Sequence, residues 1–235
     1  VFNLRGNSAG ADVLIVQGLD ASETINANQV AVDPNYAALR LNGGIGNDTI
    51  TGSSWADSIY GGAGNDLLSG GNYGDTYIYY SGDADAGETI IEPSTGSGTD
   101  TISMITSTTF INMVASSFDE IEAFTIASGQ TATFTGLQLT GEVIAFTGDT
   151  GNETLTVNLG VGEQFTSLLT NAAANIEVVQ YIGSTGAESI AGGAMTETIT
   201  GAAGNDLLSG GAGNDTFIFN TYTTNGIDRI TLSTT

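Results

Sequence analysis

From Gly43 the chain repeats every nine positions without a slip: GGIGNDTIT, GSSWADSIY, GGAGNDLLS and GGNYGDTYI start at Gly43, Gly52, Gly61 and Gly70. The sixth position of each unit is an aspartate (Asp48, Asp57, Asp66, Asp75), and the eighth is apolar or aromatic (Ile50, Ile59, Leu68, Tyr77). Glycines at the first, second and fourth positions permit the positive-φ turns of a six-residue loop, and the last three residues alternate like a very short strand. Such a strand buries too little by itself. The units must therefore stack, so that neighbouring turns supply both the ladder hydrogen bonds and the core. Stacking also gathers the carboxylates. Two of them at about 4 Å repel by roughly 4 kcal/mol at an effective dielectric of 20, so a hard cation is expected between the loops. Calcium suits a site of carboxylates and backbone carbonyls.

The pattern resembles the glycine- and aspartate-rich nonapeptide of the RTX family of secreted bacterial proteins, G-G-x-G-x-D-x-U-x, whose units wind into a calcium-binding parallel β-roll. The resemblance implies an all-β fold, in which parallel β-roll blocks alternate with further β-solenoid or β-sandwich segments, and several bound Ca2+ ions. It also implies that two nonapeptides make one turn, so loops 43 and 61 stack on one side and loops 52 and 70 on the other. Asp48 and Asp66 are then expected to share a calcium, helped by backbone carbonyls of the segments holding Gly43, Ile45, Gly46, Gly61, Ala63 and Gly64. In the second pair Trp55 and Tyr73 replace the fourth-position glycine, while Asp57 and Asp75 remain. The two aromatics fall one turn apart on the same side, where they read either as a stacked pair that substitutes for a metal or covers one, or as an ordinary surface aromatic patch.

A larger repeat runs through the chain. GGAGNDLLSGG at Gly61 returns as GAAGNDLLSGG at Gly201, and DTYIY at Asp75 returns as DTFIF at Asp215, both at an offset of 140. The sequence reads as roughly 1.7 copies of one module, with both ends falling inside a copy. Five segments follow: a β-rich lead-in over 1–42, a repeat block over 43–80, a β-rich intervening region over 81–182, a second block over 183–219, and the start of another β-rich segment over 220–235. Sixth positions in the second block are Glu188, Glu197, Asp206 and Asp215, so each loop pair couples a long and a short carboxylate, which calcium tolerates better than magnesium. Loop 192 carries Met195 where glycine is expected. Loops 201 and 210, with Gly201, Ala203, Gly204, Gly210, Ala212 and Gly213, offer a further half-site that Asp228 could close. Asp83, Asp85, Glu88 and Asp100 are similar candidates after the first block, against the plainer reading of solvated turn acids.

The intervening region is rich in β-formers, as in Phe124–Ile126, Thr131–Thr135, Val143–Phe146 and Thr154–Val157, and reads as strand. Two stretches, Thr109–Phe118 and Gln164–Ala174, carry apolar spacing that predicts short helices.

Twenty-six acidic side chains against three basic ones give a net charge of -23, which argues against nucleic acid or an anionic membrane surface as partner. The longest aliphatic run, Val13 to Val16, is far short of a membrane span. Without lysine, histidine or cysteine the chain has no imidazole, Schiff-base or thiolate chemistry. The acids Asp119, Glu120 and Glu122 are then the remaining candidates for a hydrolytic pair, and adjacent surface carboxylates are far more often solvating, so the chain is expected not to be an enzyme. The expected function is a calcium-dependent structural module of a secreted bacterial cell-surface assembly, such as an S-layer, filament or sheath. Its expected partners are further copies of the chain or a cell-surface polysaccharide. The alternatives are the extender or binding section of a large adhesin, and the calcium-binding tail of a secreted toxin or hydrolase.

Overall fold

The computed structural model describes residues 12–29, 36–84, 86–93, 98–167, 175–219 and 226–232. Asp85 and the 168–174 part of the second expected helix lie outside the described residues. Two compact units are present, one comprising Val1–Thr108 with Asn112–Phe124, the other Thr109–Ile111 with Thr125–Thr235.

In the first unit the chain forms β1 (Asp12–Gln17), β2 (Thr24–Asn26), β3 (Tyr36–Ile45), β4 (Thr49–Thr51), β5 (Ser58–Ala63), β6 (Leu67–Ser69), β7 (Thr76–Tyr79), β8 (Thr89–Ile90) and β9 (Thr101–Met104). Two short strands, β10 (Thr108–Thr109) and β11 (Ala123–Ile126), fall where the units divide. The sheets run β1-β3-β5-β7-β9 and β2-β4-β6-β8. Successive strands thus alternate between sheets, and each sheet neighbour lies one full turn later, with parallel pairing throughout. This is a β-solenoid.

Register places like on like. Ile25, Ile50, Leu68 and Ile90 align down one sheet, and Leu41, Ile59, Tyr77 and Ile102 down the other. The four eighth-position side chains, Ile50, Ile59, Leu68 and Tyr77, are each at most 1% exposed. Burial of such side chains is worth about 1.5–3 kcal/mol each, which is what holds three-residue strands together. A turn takes 18 residues inside the nonapeptide block, as between Asp48 and Asp66. Outside it the turns lengthen to 22 or 25 residues.

The second unit repeats the plan with β12 (Thr131–Thr135), a four-residue helix α1 (Gly136–Leu139), β13 (Ala145–Gly148), β14 (Thr154–Asn158), β15 (Gln164–Thr166), β16 (Val178–Ile182), β17 (Ser189–Ala191), β18 (Glu197–Thr200), β19 (Leu207–Ser209), β20 (Thr216–Ile218) and β21 (Arg229–Thr231). Its sheets run β12-β14-β16-β18-β20 and β15-β17-β19-β21, again parallel. Phe165, Ile190, Leu208 and Ile230 align in one, and Val157, Tyr181, Ile199 and Phe217 in the other. Phe134 stacks on Phe110 at 5.0 Å and meets the edge of Phe146 at 5.8 Å, all three rings being buried.

Both expected helices are corrected. Across Thr109–Phe118 the helical part is a single 3-10 turn, Ala115–Ser117. The Phe110 N–H donates to the Thr133 carbonyl of another turn at 2.8 Å. Gln164–Thr166 is strand, paired with Ser189–Ala191 and burying only Phe165. In both places a neighbouring turn offered ladder partners, and that tertiary gain outweighs a weak helical pattern. No described helix is long and apolar enough to cross a membrane.

Candidate metal centre

In loops 43 and 61 the second- and fourth-position glycines take positive φ: 109° and 134° at Gly44 and Gly46, 104° and 133° at Gly62 and Gly64. Residues with a Cβ rarely adopt these values. The turns curl each loop so that the sixth-position carboxylate folds over the loop's own first glycine. A Cβ at Gly43, Gly61, Gly70, Gly201 or Gly210 would collide with an Oδ2 of Asp48, Asp66, Asp75, Asp206 or Asp215. The space beside Gly43 is also crowded by the Gly61 carbonyl, so a carboxylate and a backbone oxygen converge where a side chain would have stood.

The other oxygen of each carboxylate is fixed by the neighbouring turn. Asp48 N–H donates to Asp66 Oδ1 at 2.8 Å and Asp66 N–H to Glu88 Oε2 at 3.0 Å. On the opposite side Asp57 N–H donates to Asp75 Oδ1 at 2.6 Å, Asp75 N–H to Asp100 Oδ1 at 2.7 Å, and Asp100 N–H to Glu122 Oε2 at 2.7 Å. The second unit has the same rungs from Glu153 to Glu177, Glu188 to Asp206, Asp206 to Asp228, and Glu197 to Asp215. Acids thus stack in columns. Buried outer oxygens of Asp48, Asp75 and Asp206 accept no hydrogen bond.

Loops differ in whether they satisfy their own acid. Where the second position lacks a positive φ, its N–H turns inward. Ser53 N–H donates to Asp57 Oδ2 at 2.6 Å, Ser184 N–H to Glu188 Oε2 at 3.1 Å, and Gly193 N–H to Glu197 Oε1 at 3.1 Å. The serine hydroxyls add bonds to Asp57 and Glu188. Loops 52, 183 and 192 are in this sense closed, although Glu197 Oε2 of loop 192 stays buried without a donor, whereas loops 43, 61, 70, 201 and 210 are open. Loop 70 stays open through Gly71 at φ 108° and Tyr73 at φ 69°, loop 201 through Ala202 at 68° and Gly204 at 132°, and loop 210 through Gly211 and Gly213 at 85° and 120°. Loops 43 and 61 therefore form a pair in which both members are open. Each of the pairs 52/70, 183/201 and 192/210 combines one open and one closed loop. Met195 falls in closed loop 192. Trp55 and Tyr73 form the stacked pair, at 6.1 Å and 8° between planes, and both rings are exposed.

Columns of like charge in a poorly solvated stack are hard to ionise. Burial, followed by the neighbouring Asp57, Glu92 and Asp100 charges, pushes Asp75 up to about 8. Burial and the Asp66 charge push Glu88 to about 8 as well, despite bonds from the Asp66 N–H and from the Tyr79 hydroxyl at 3.0 Å. Glu92 rises to about 7 for the same first reason. In the second unit burial and the facing Asp215 carboxylate raise Glu197 to about 7. Glu188 goes the other way: burial raises it, but donors from Gly162, Ser184 and Gly186 together outweigh that and hold it below its ordinary value.

The comparisons with known proteins fit this geometry. The family model for the RTX calcium-binding nonapeptide repeat, in four copies, matches residues 42–76 and 191–220. The chain carries RTX repeats. Such RTX repeats bind Ca2+, and several ions across a set of repeats. The matched segments cover less than half of the chain. No curated protein and no solved structure matched it.

The columns extend past the RTX segments. Glu88, read above against the plainer option of a solvated turn acid, is 1% exposed and Asp100 is half-buried, and both are rungs. Asp83 is a buried turn acid whose Oδ2 accepts the Tyr80 N–H at 2.7 Å. Glu23, Glu92, Glu122, Glu153, Glu163 and Glu177 were missed by the nine-residue spacing. Glu23 Oε2 accepts the Leu19 N–H, Glu163 Oε2 the Gly160 N–H, and Glu153 is fully buried. A signal exists for two of them, Glu23 and Glu153: an acid followed by threonine and an aliphatic residue, as in Glu23-Thr24-Ile25 and Glu153-Thr154-Leu155, the same triplet as in Asp48-Thr49-Ile50 and Asp100-Thr101-Ile102. This triplet marks the end of a loop and the start of a strand whatever the length of the turn before it.

Proposed function

We propose that the chain is a calcium-dependent structural module of a secreted bacterial cell-surface assembly, an S-layer, filament or sheath, which folds and self-associates when calcium enters the loops. The observation that carries the reading is the stack of open loops, in which buried carboxylate oxygens without donors face backbone carbonyls. Loops 43 and 61 hold a calcium through Asp48 and Asp66 with the carbonyls of their glycine turns. Loops 201 and 210 contribute Asp206 and Asp215 to mixed sites with Glu188 and Glu197, whose closed loops must first release their own N–H groups. When bound, the ion supplies positive charge between carboxylates that otherwise repel.

Self-association is supported by charge. A net charge of -23 keeps copies apart, and each bound divalent ion reduces that repulsion. Exposed aliphatic residues at strand positions, Val13, Ile15, Leu207 and Ile230, then provide contact surface. We read the chain as non-catalytic. Glu122 is engaged by the Asp100 N–H, and Glu120 occupies a turn with φ 61°, an arrangement suited to shaping a loop rather than to proton transfer.

Light scattering of the purified chain through a calcium titration tests the proposal. Particle size is expected to rise at millimolar calcium and to fall again on chelation. A calcium-loaded chain that stays monomeric at high concentration refutes assembly and favours the adhesin or toxin-tail reading.

A further inference from the structure

Three acids in the first unit form a cluster of a different make from the nonapeptide loops. One oxygen from each of Asp75, Glu92 and Asp100 lies within 4.8 Å of the other two. Only Asp75 belongs to the matched repeat segment, which ends at residue 76; Glu92 and Asp100 come from the longer turn that follows. Each side chain spends one oxygen on a backbone donor. Asp57 N–H reaches Asp75 Oδ1 at 2.6 Å, Gly70 N–H reaches Glu92 Oε1 at 2.7 Å, and Asp75 N–H reaches Asp100 Oδ1 at 2.7 Å. These bonds fix the three carboxylates in place.

The remaining oxygens are the independent observation. Asp75 is fully buried, and its Oδ2 has no hydrogen-bond partner; Glu92 Oε2 is likewise buried without one. A desolvated carboxylate oxygen with no donor is costly to leave unmatched. Leu68 pairs with Ile90, and two residues further on the Gly70 N–H meets the Glu92 carboxylate, so the turn brings an acid beside a bare glycine of the repeat.

We propose that Asp75, Glu92 and Asp100 form a divalent-cation site of calcium size, built from three side-chain carboxylates. Oxygens around calcium sit at about 2.3–2.6 Å from the ion, so ligands up to roughly 5 Å apart can share it, whereas magnesium at about 2.0–2.1 Å demands a tighter shell. The site closes the RTX block at its C-terminal side, and it extends the calcium reading above to residues outside the repeat.

Isothermal titration of the full chain with calcium tests it, comparing wild type with the double variant Glu92→Gln, Asp100→Asn. Both substitutions keep an oxygen acceptor for the Gly70 and Asp75 N–H groups. The variant is expected to bind one calcium fewer per chain, or to bind it at least tenfold more weakly, with the other sites unchanged. An unaltered calcium stoichiometry and affinity in the variant overturns this site while leaving the loop sites standing. A wild-type chain that binds no calcium overturns the broader reading instead. Should the variant fail to fold, the wild-type carboxyl 13C resonances of Glu92 and Asp100 decide. They are expected to shift during the calcium titration, and resonances that stay still overturn the proposal. Magnesium at equal concentration is expected not to displace the ion, and displacement would refute the calcium-sized shell.

Discussion

Removing calcium should make this protein more stable in acid than at neutral pH, the reverse of ordinary acid denaturation. Asp75 is fully buried and sits at about 8 instead of an ordinary value of 3.8, and Glu88, 1% exposed, sits at about 8 instead of 4.5. A raised carboxylate opposes folding wherever the unfolded chain has ionised and the folded one has not. Its contribution is therefore favourable below about pH 4 and is lost as the pH climbs to about 8. At about 1.4 kcal/mol per pH unit, Asp75 alone costs the native state roughly 5 kcal/mol by pH 8. Glu88 costs a similar amount, and the two are not simply additive, because neighbouring acids couple them. Either figure is comparable with the lower end of whole-domain stability, about 5 kcal/mol. Urea unfolding of calcium-stripped protein, followed by circular dichroism between pH 5 and 8, should show the midpoint falling steadily with pH. With saturating calcium the slope should invert, since bound carboxylates must be ionised and acid competes with the metal. A calcium-free midpoint that is flat or rises over this window would refute the argument that the stack is limited by its own charge.

Three further outcomes follow from single side chains. In calcium, Ile59→Ala should lower stability by about 2–5 kcal/mol, whereas Leu19→Ala, at a residue 74% exposed, should change it by less than about 0.5 kcal/mol; equal urea midpoints for the two variants would contradict the stacked core. Ala202→Gly should raise stability by roughly 1 kcal/mol, because Ala202 is held at φ 68°, where a side chain is disfavoured; a lower melting temperature would show that the strain is absent. Gly62→Ala places a Cβ against the Gly44 carbonyl at φ 104°, so it should weaken calcium binding and folding together by more than about 1 kcal/mol, with a wild-type calcium titration as the contrary result.

The repeat blocks were legible because two independent rules, a turn glycine and an eighth-position apolar residue, share one period. Ile50, Ile59, Leu68 and Tyr77 could be assigned to the core from spacing alone, and they are in it. The acids of the longer turns were not legible in that way. Glu122, Glu153 and Glu177 follow turns of 22 or 24 residues, so no nine-residue comb passes through them, although the fold brings them to equivalent rungs. Spacing also cannot separate an open loop from a closed one. Asp57 and Asp75 occupy the same motif position, yet Asp57 is bonded by Ser53 of its own loop while the outer oxygen of Asp75 is left without a donor. The difference lies in one backbone torsion at the second position. The expected helices failed for a related reason, since Phe110 and Phe165 find their partners in another turn and not in their own segment.

Each rung has a direction: the earlier turn gives its N–H and the later turn gives the receiving carboxylate, as from Asp48 to Asp66 and from Asp66 to Glu88. The strand backbone closes the same gap in the other sense, since Leu67 N–H donates to the Asp48 carbonyl and Thr89 N–H to the Asp66 carbonyl, so only the side-chain rung is one-way. The N-terminal face of a stack presents carboxylates, which water solvates readily, and the C-terminal face presents acid N–H groups whose carboxylate is missing. Shortening the first unit from its N-terminal side should consequently leave a foldable remainder. Cutting away the turn that holds Glu88 should instead strip the Asp66 N–H of its acceptor and loosen the turns before it, and amide hydrogen exchange would record that loss spreading backward along the chain.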